Sequence, residues 1–175
     1  MIIDRNWAKP SGGGGGDNTK LKEIVEGTVT ELTAEDLEGV EKIGDYSFAY
    51  KQKLVNVYLP VTTKTLGTYA FQSCTKLESI NTQNIEEFNN FCFQYCSALK
   101  EIYLSEFVTK LGRSMFENCT NLKTIYCYCD KALITSNTFH SYGFDVVYCD
   151  YSGEAENGSA YTLKDGVLNI VQFHP

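Results

Sequence analysis

The chain has 175 residues, with 15 Lys and Arg against 22 Asp and Glu and a formal net charge of −7. That length suits one domain with a substantial core, since a chain of about 150 residues buries roughly 70% of its unfolded surface. The acidic balance argues against nucleic-acid binding, and no apolar run approaches the ~20 residues that a membrane-spanning helix needs.

Met1–Trp7 is a short mixed peptide, followed by Pro10-Ser11 and five consecutive glycines, Gly12–Gly16. A glycine run is a flexible tether. Residues 1–19 are therefore read as tail and tether, with Ile2, Ile3 and Trp7 as a candidate anchor to a larger body. Met1–Lys20 has no apolar core of a secretory signal peptide, so the expected location is a virion or the cytoplasm, with a cell surface as the alternative.

Residues 20–42 are expected to form an N-terminal cap, a shortened first coil. Ile24-Val25 and Thr28-Val29-Thr30 read as strand, and Thr33-x-x-Asp36 reads as a helix-capping box with Gly39 as the stop.

Residues 43–150 carry an internal repeat. Phe48, Phe71, Phe93, Phe116 and Phe139 are spaced by 23, 22, 23 and 23 residues. Three residues after each Phe come Lys51, Cys74, Cys96, Cys119 and Tyr142. Six after come Leu54, Leu77, Leu99 and Leu122, and nine after come Val57, Ile80, Ile102 and Ile125. Five before come Ile43, Leu66, Phe88, Leu111 and Ile134, three of them followed by Gly44, Gly67 and Gly112. A fixed period of this length marks a solenoid, in which no unit can bury its apolar face alone and stacking makes one core. Leu99-Lys100-Glu101-Ile102-Tyr103-Leu104 ends in a strand pattern that turns Ile102 and Leu104 inward and Glu101 and Tyr103 outward. The three-residue spacing of Phe-x-x-Cys-x-x-Leu reads as a helical turn packed on the sheet.

Tyr151–Ala160 reads as a loop. Tyr161-Thr162-Leu163 and Val167–Val171 flank Lys164-Asp165-Gly166, which reads as a β-hairpin, because Asp-Gly supplies the positive φ of its turn. Residues 151–175 thus form a C-terminal cap that covers the last coil's open edge.

The pattern Ile-Gly-x-x-x-Phe-x-x-Cys-x-x-Leu-x-x-Ile-x-Leu resembles the BspA-like leucine-rich repeat over about residues 40–150. It departs at Lys51, which stands at the Cys position, and at Phe88-Asn89, where Leu-Gly is usual and one residue is deleted; the pattern fades after Phe139. The resemblance implies an α/β solenoid of about five coils: a right-handed superhelix with a parallel sheet on its concave side. Better-known members are surface adhesins of bacteria and protists, and related repeats occur in gut bacteria and their phages. The resemblance supplies no catalytic residues.

Enzyme signatures are missing as well. No H-E-x-x-H, P-loop or G-x-S-x-G motif occurs, and the two histidines, His140 and His174, are far from any partnered arrangement. The chain is therefore read as a non-enzyme without catalytic residues, cofactor or metal. Seven cysteines leave at least one unpaired, and Cys74, Cys96 and Cys119 read as a ladder of buried free thiols. Cys127, Cys129 and Cys149 offer three zinc ligands with only His140 as a fourth, whereas a closed site takes four; a sulfur-lined final coil is the other reading.

The tyrosines carry the functional expectation. Ten residues after each Phe come Tyr58, Asn81, Tyr103 and Tyr126, which the pleat sends to the concave face, with Tyr128 extending the row and Asn56 and Glu101 flanking it. Exposed Tyr gives rigid contact area with a polar tip, suited to a protein or glycan ligand. Tyr also stabilises neighbouring strands, so a structural role remains open beside it. The first expectation is a protein- or glycan-binding adhesion module displayed on a phage particle or cell surface through its tether. The second is an assembly protein whose Tyr-rich sheet packs on itself, as a homo-oligomer, or on a scaffold. No nucleic acid and no membrane insertion are expected in either.

Overall fold

The computed structural model describes residues 23–133 and 138, together with the strands Val147–Tyr148, Gly153–Glu154, Ala160–Lys164 and Val167–Ile170. The anchor residues Ile2, Ile3 and Trp7, the glycine tether, His140 and Cys149 lie outside the described residues.

Each of the first four coils contributes two short strands and the fifth, among the described residues, one; like strands run parallel. The first series is β1 (Glu31–Leu32), β3 (Asn56–Val57), β5 (Ser79–Ile80), β7 (Glu101–Leu104) and β9 (Thr124–Cys127). It holds the registers Leu32↔Val57↔Ile80 and Ile102↔Ile125, so equivalent repeat positions face each other across coils. The second series is β2 (Lys42–Ile43), β4 (Thr65–Leu66), β6 (Glu87–Phe88) and β8 (Lys110–Leu111), joined in parallel in that order. The family of Ile43, Leu66, Phe88 and Leu111 thus forms a second sheet, for which the sequence pattern alone gave no strand.

The side expected to be a helical turn is instead a stack of tight turns. Two residues before and two after each Phe, the backbone adopts positive φ: Tyr46 58° and Tyr50 64°, Tyr69 58° and Ser73 57°, Phe91 57° and Tyr95 62°, Ser114 49° and Asn118 61°. This conformation costs an L-residue about 1 kcal/mol or more. Hydrogen bonds between coils offset it. The amides of Tyr46, Phe48 and Tyr50 donate to the carbonyls of Thr68, Ala70 and Gln72, and Tyr69, Phe71 and Ser73 repeat the pattern onto Asn90, Cys92 and Gln94. A 3-10 helix would turn these amides inward along its own axis and leave the neighbouring coil unpaired.

Side-chain columns run the length of the stack. Inside, the rings of Phe48, Phe71, Phe93 and Phe116 lie in sequence at 5.3, 5.6 and 5.8 Å. Leu54, Leu77, Leu99 and Leu122 fill the same core, all fully buried. Outside, Gln72 donates to Gln94 and Gln94 to Glu117, each at 2.7 Å. Coils pack so closely that a Cβ at Gly67 would come within 2.6 Å of the Gly44–Asp45 backbone, and one at Gly112 within 2.5 Å of Asn89 and Asn90. That contact excludes a side chain at Gly67 and Gly112, whereas Gly44 has only Ser47 Oγ nearby at 3.2 Å.

The N-terminal segment corrects the expected strands. Residues 23–26 form one helical turn, and the strand is Glu31–Leu32, which joins the first series as a shortened coil. The Thr33–Asp36 box closes as expected: Thr33 donates through its amide and hydroxyl to the Asp36 carboxylate, and the Asp36 amide donates back to Thr33 Oγ1 at 3.2 Å. No helix follows; the chain turns and reaches Gly39 at φ 73°. At the other end β12 (Ala160–Lys164) and β13 (Val167–Ile170) pair antiparallel around residues 165–166, the hairpin the Asp-Gly pair predicts. With β10 (Val147–Tyr148) and β11 (Gly153–Glu154) they make a four-stranded sheet, and β10 lies beside β9 at the end of the solenoid.

Candidate functional site

The first strand series presents the expected row of side chains, although the row is not continuous. Tyr103 and Tyr126 stand on β7 and β9 in direct register, with rings 4.5 Å apart and 13° from parallel. Their neighbours in sequence, Ile102, Leu104, Ile125 and Cys127, are buried, so the strand pleat drives both rings outward. Tyr128 extends the pair; it is 45% exposed, and its amide donates to the Leu104 carbonyl at 2.7 Å. Tyr58, 47% exposed, stands two coils away and is held by its amide on the Leu32 carbonyl.

Between Tyr58 and Tyr103 the row is broken by Asn81. Its side-chain oxygen accepts from the Leu59 amide, and its nitrogen donates to the Leu59 carbonyl at 2.9 Å. The amide thus mimics a paired strand residue. Next to it the buried Thr82 hydroxyl donates to the Tyr103 carbonyl at 2.6 Å and accepts from the Tyr103 amide at 3.2 Å. Thr82 thus replaces backbone pairing where β5 and β7 do not join, while Asn81 extends the β3–β5 pairing to Leu59. This is also the coil with the one-residue deletion. The corner before the buried Ile85 has two residues, Gln83-Asn84, where the next coil has Ser105-Glu106-Phe107 before Val108. Asn56 likewise has a structural bond, accepting from Ser79 Oγ at 2.8 Å. Glu101 is exposed beside the tyrosine pair.

Basic groups line the margin where the chain enters the strands. Lys100 and Lys123 immediately precede β7 and β9, are exposed, and are joined by a backbone bond from the Lys123 amide to the Lys100 carbonyl. Lys100 pairs with Glu78 of the preceding coil. Residues 51–133 contain nine Lys and Arg against seven Asp and Glu, whereas residues 23–50 contain one against eight. The acidic charge therefore lies outside the coils that bear Tyr103 and Tyr126.

A second aromatic column escaped the sequence reading. Tyr46, Tyr69 and Phe91 stack at 4.9 Å spacings on the turn side, and the Arg113 guanidinium closes the stack 5.3 Å from the Phe91 ring. All stand at, or next to, the position two residues before the repeat Phe, and that register was the available signal. Both faces of Tyr69 and of Phe91 meet another ring or a cation, and Tyr46, 52% exposed, ends the stack, so the column chiefly holds the positive-φ turns together.

The thiols divide into two chemical kinds. Cys74, Cys96 and Cys119 each donate to the carbonyl of the Phe in the preceding coil, Phe48, Phe71 and Phe93, at 3.1 Å. Burial raises the thiols of Cys74 and Cys119 to about 12 and those of Cys92 and Cys96 well above the usual range. They are inert, packed groups. Lys51 occupies the same position in the first described full coil; it is 6% exposed, and desolvation lowers its pKa. Cys127 and Cys129 differ: their sulfurs are 3.3 Å apart, and the hydrogen bond between them lowers the pKa of Cys129. Among the described residues no group of three His, Cys, Asp or Glu is placed to hold a metal ion, and no helix is long and apolar enough to cross a membrane.

Stacked coils of 22–23 residues with paired parallel strands and a Phe-x-x-Cys-x-x-Leu turn define a leucine-rich-repeat solenoid. The family model of the BspA type leucine rich repeat region matches six copies over residues 27–143, and the chain belongs to that family. It is similar to a leucine-rich repeat protein from Bacteroides ovatus ATCC 8483, solved at 1.19 Å, with 31% identity and a TM-score of 0.49 over 50% of this chain and 23% of that one. It is also similar to a T. pallidum leucine-rich repeat protein, with 22% identity and a TM-score of 0.43 over 55% of this chain and 56% of that one. No curated protein matches it. The repeat fold is typically non-enzymatic, and repeats of this kind serve as protein-interaction modules.

Proposed function

We propose that the chain binds a protein partner through the outward face of β7 and β9. The observation that carries this reading is the Tyr103–Tyr126 pair, stacked at 4.5 Å on a registered ladder and bordered by exposed Tyr128. Both rings are held in place before binding, so little side-chain entropy is lost on contact. Lys123 at the margin, beside the Lys100–Glu78 pair, favours a partner segment with acidic groups, since complementary charge speeds encounter and rejects wrong partners. Asn81 and Asn56 act on this reading as scaffold, because their amides are spent on Leu59 and Ser79.

The physiological setting we propose is adhesion or recognition on a larger assembly, a virion or a cell surface, with Met1–Gly16 as tether. The test is affinity capture from the source culture with the full chain, comparing wild type with Tyr103→Ser/Tyr126→Ser at matched circular dichroism. Specific loss of a protein partner supports the reading. Retention of the partner overturns it, and loss of a glycan instead identifies the ligand as carbohydrate. Concentration-dependent oligomers abolished by the same variant would assign the face to self-association.

A further inference from the structure

The chemistry that function leaves unused is concentrated at the end of β9. Cys127 is the last residue of that strand, and the chain bends at Cys129, so the two side chains converge on one buried side while Tyr128 points out between them. Their sulfurs lie 3.3 Å apart, nearer than two unbonded sulfurs ordinarily approach without a hydrogen bond between them. We propose that Cys127 and Cys129 form a thiol–disulfide couple, a modification site at the end of the tyrosine face that exchanges with small-molecule disulfides. It does not depend on that face being the binding surface.

The contrast with the other described thiols supports the assignment. Cys74, Cys96 and Cys119 donate to carbonyl oxygens, an arrangement that stabilises the protonated thiol. Cys127 and Cys129 share a hydrogen bond in which either thiol can donate; when Cys129 ionises, the Cys127 thiol beside it can donate to the thiolate, the attacking species in exchange, and this lowers the pKa of Cys129. It is also the more accessible of the pair, at 8% exposure against 3% for Cys127. In the reaction the Cys129 thiolate attacks one sulfur of an external disulfide and expels the other as a thiolate, giving a mixed disulfide. Cys127 then loses its proton and attacks Cys129 Sγ. That step forms the Cys127–Cys129 bond and expels the second small thiol. The external disulfide is reduced to two thiols, and the protein gains one disulfide. The sulfurs close from 3.3 Å to ~2.05 Å, and the bend at residue 129 absorbs the movement. Tyr128, between the two anchors, becomes part of a closed ring.

The test uses the native full chain, incubated with oxidised glutathione, quenched by alkylation and read by intact mass and peptide mapping. The expected result is loss of two hydrogens, mapped to the Cys127–Cys129 peptide, with Cys74, Cys92, Cys96 and Cys119 unchanged. Iodoacetamide should alkylate Cys129 at least about tenfold faster than Cys96 in the folded protein. The Cys127→Ser variant should stop at one glutathione on Cys129, and Cys129→Ser should take up none at Cys127. The wild-type map alone decides the matter if either variant fails to fold. A pair that stays reduced while a free dithiol in the same buffer oxidises would overturn the proposal, as would a linkage of either cysteine to Cys149.

Discussion

The thiol of Cys96 donates to the carbonyl of Phe71, one coil back, at 3.1 Å, and Cys74 and Cys119 make the same bond to Phe48 and Phe93. A small buried donor at this position ties each turn to the one before, and it fits a core in which the neighbouring Phe rings already stack. Replacing it removes both the bond and the sulfur's volume. Cys96→Ala and Cys119→Ala should each lower stability by about 2 kcal/mol in urea unfolding.

Alkaline pH should unfold the protein steeply. Burial raises the thiols of Cys74, Cys92, Cys96 and Cys119 above the ordinary thiol value of 9.0 in the folded state. A raised folded pKa contributes stability that is present below the unfolded pKa and is lost as pH rises toward the folded one. Each buried thiol should therefore cost about 1.4 kcal/mol per pH unit above pH ~9. Denaturation midpoints measured from pH 7 to 11 should fall sharply above 9, and the fall should be shallower in Cys96→Ala.

Lys51 acts in the opposite sense. Its folded pKa is lowered by burial, so the unfolded chain holds its proton more tightly, and this group alone adds stability as pH rises toward the ordinary lysine value of 10.5. At neutral pH its desolvation is a cost. Lys51→Met, which keeps the chain length and removes the charge, should raise stability by about 1 kcal/mol, read as a higher urea midpoint at pH 7.

The repeat glycines should separate by position. Gly67→Ala and Gly112→Ala place a methyl group within 2.6 and 2.5 Å of backbone atoms of the preceding coil, which cannot move aside without opening the stack. Each should cost about 3 kcal/mol. At Gly44 the nearest atom is the hydroxyl oxygen of Ser47 at 3.2 Å, so Gly44→Ala should cost under about 1 kcal/mol. Thermal unfolding of the three variants side by side checks the order.

The coil period was legible because stacking demands identical residues at identical places. Phe48, Phe71, Phe93 and Phe116 had to fall in one column to fill one core. The turn side was not legible. Phe-x-x-Cys-x-x-Leu has the period of a helical turn, yet the positive φ of Tyr46, Tyr50, Ser73 and Tyr95 is fixed by amides bonding to the next coil, and no local preference of Tyr announces it. The tyrosine row was half legible: the pleat placed Tyr103 and Tyr126 outward. Asn81 breaks the row as a strand surrogate on Leu59, and the gap between β5 and β7 beside the deletion is bridged by Thr82 onto Tyr103, which is seen only when neighbouring coils are set side by side. The second sheet shared this difficulty, since two-residue strands such as Thr65–Leu66 are too short to show alternation.

On the proposed reading the face bearing Tyr103 and Tyr126 meets a partner, while the Tyr46–Tyr69–Phe91 column only holds the coils together. The most direct measurement is site-specific photocrosslinking in the source culture, with a photoreactive phenylalanine placed in the full chain at residue 103, 126 or 128 and, as comparison, at 46 or 69. One defined adduct to a second protein is expected from positions 103, 126 and 128 and none from 46 or 69. Adducts from the turn-side column alone, or from both faces equally, would contradict it.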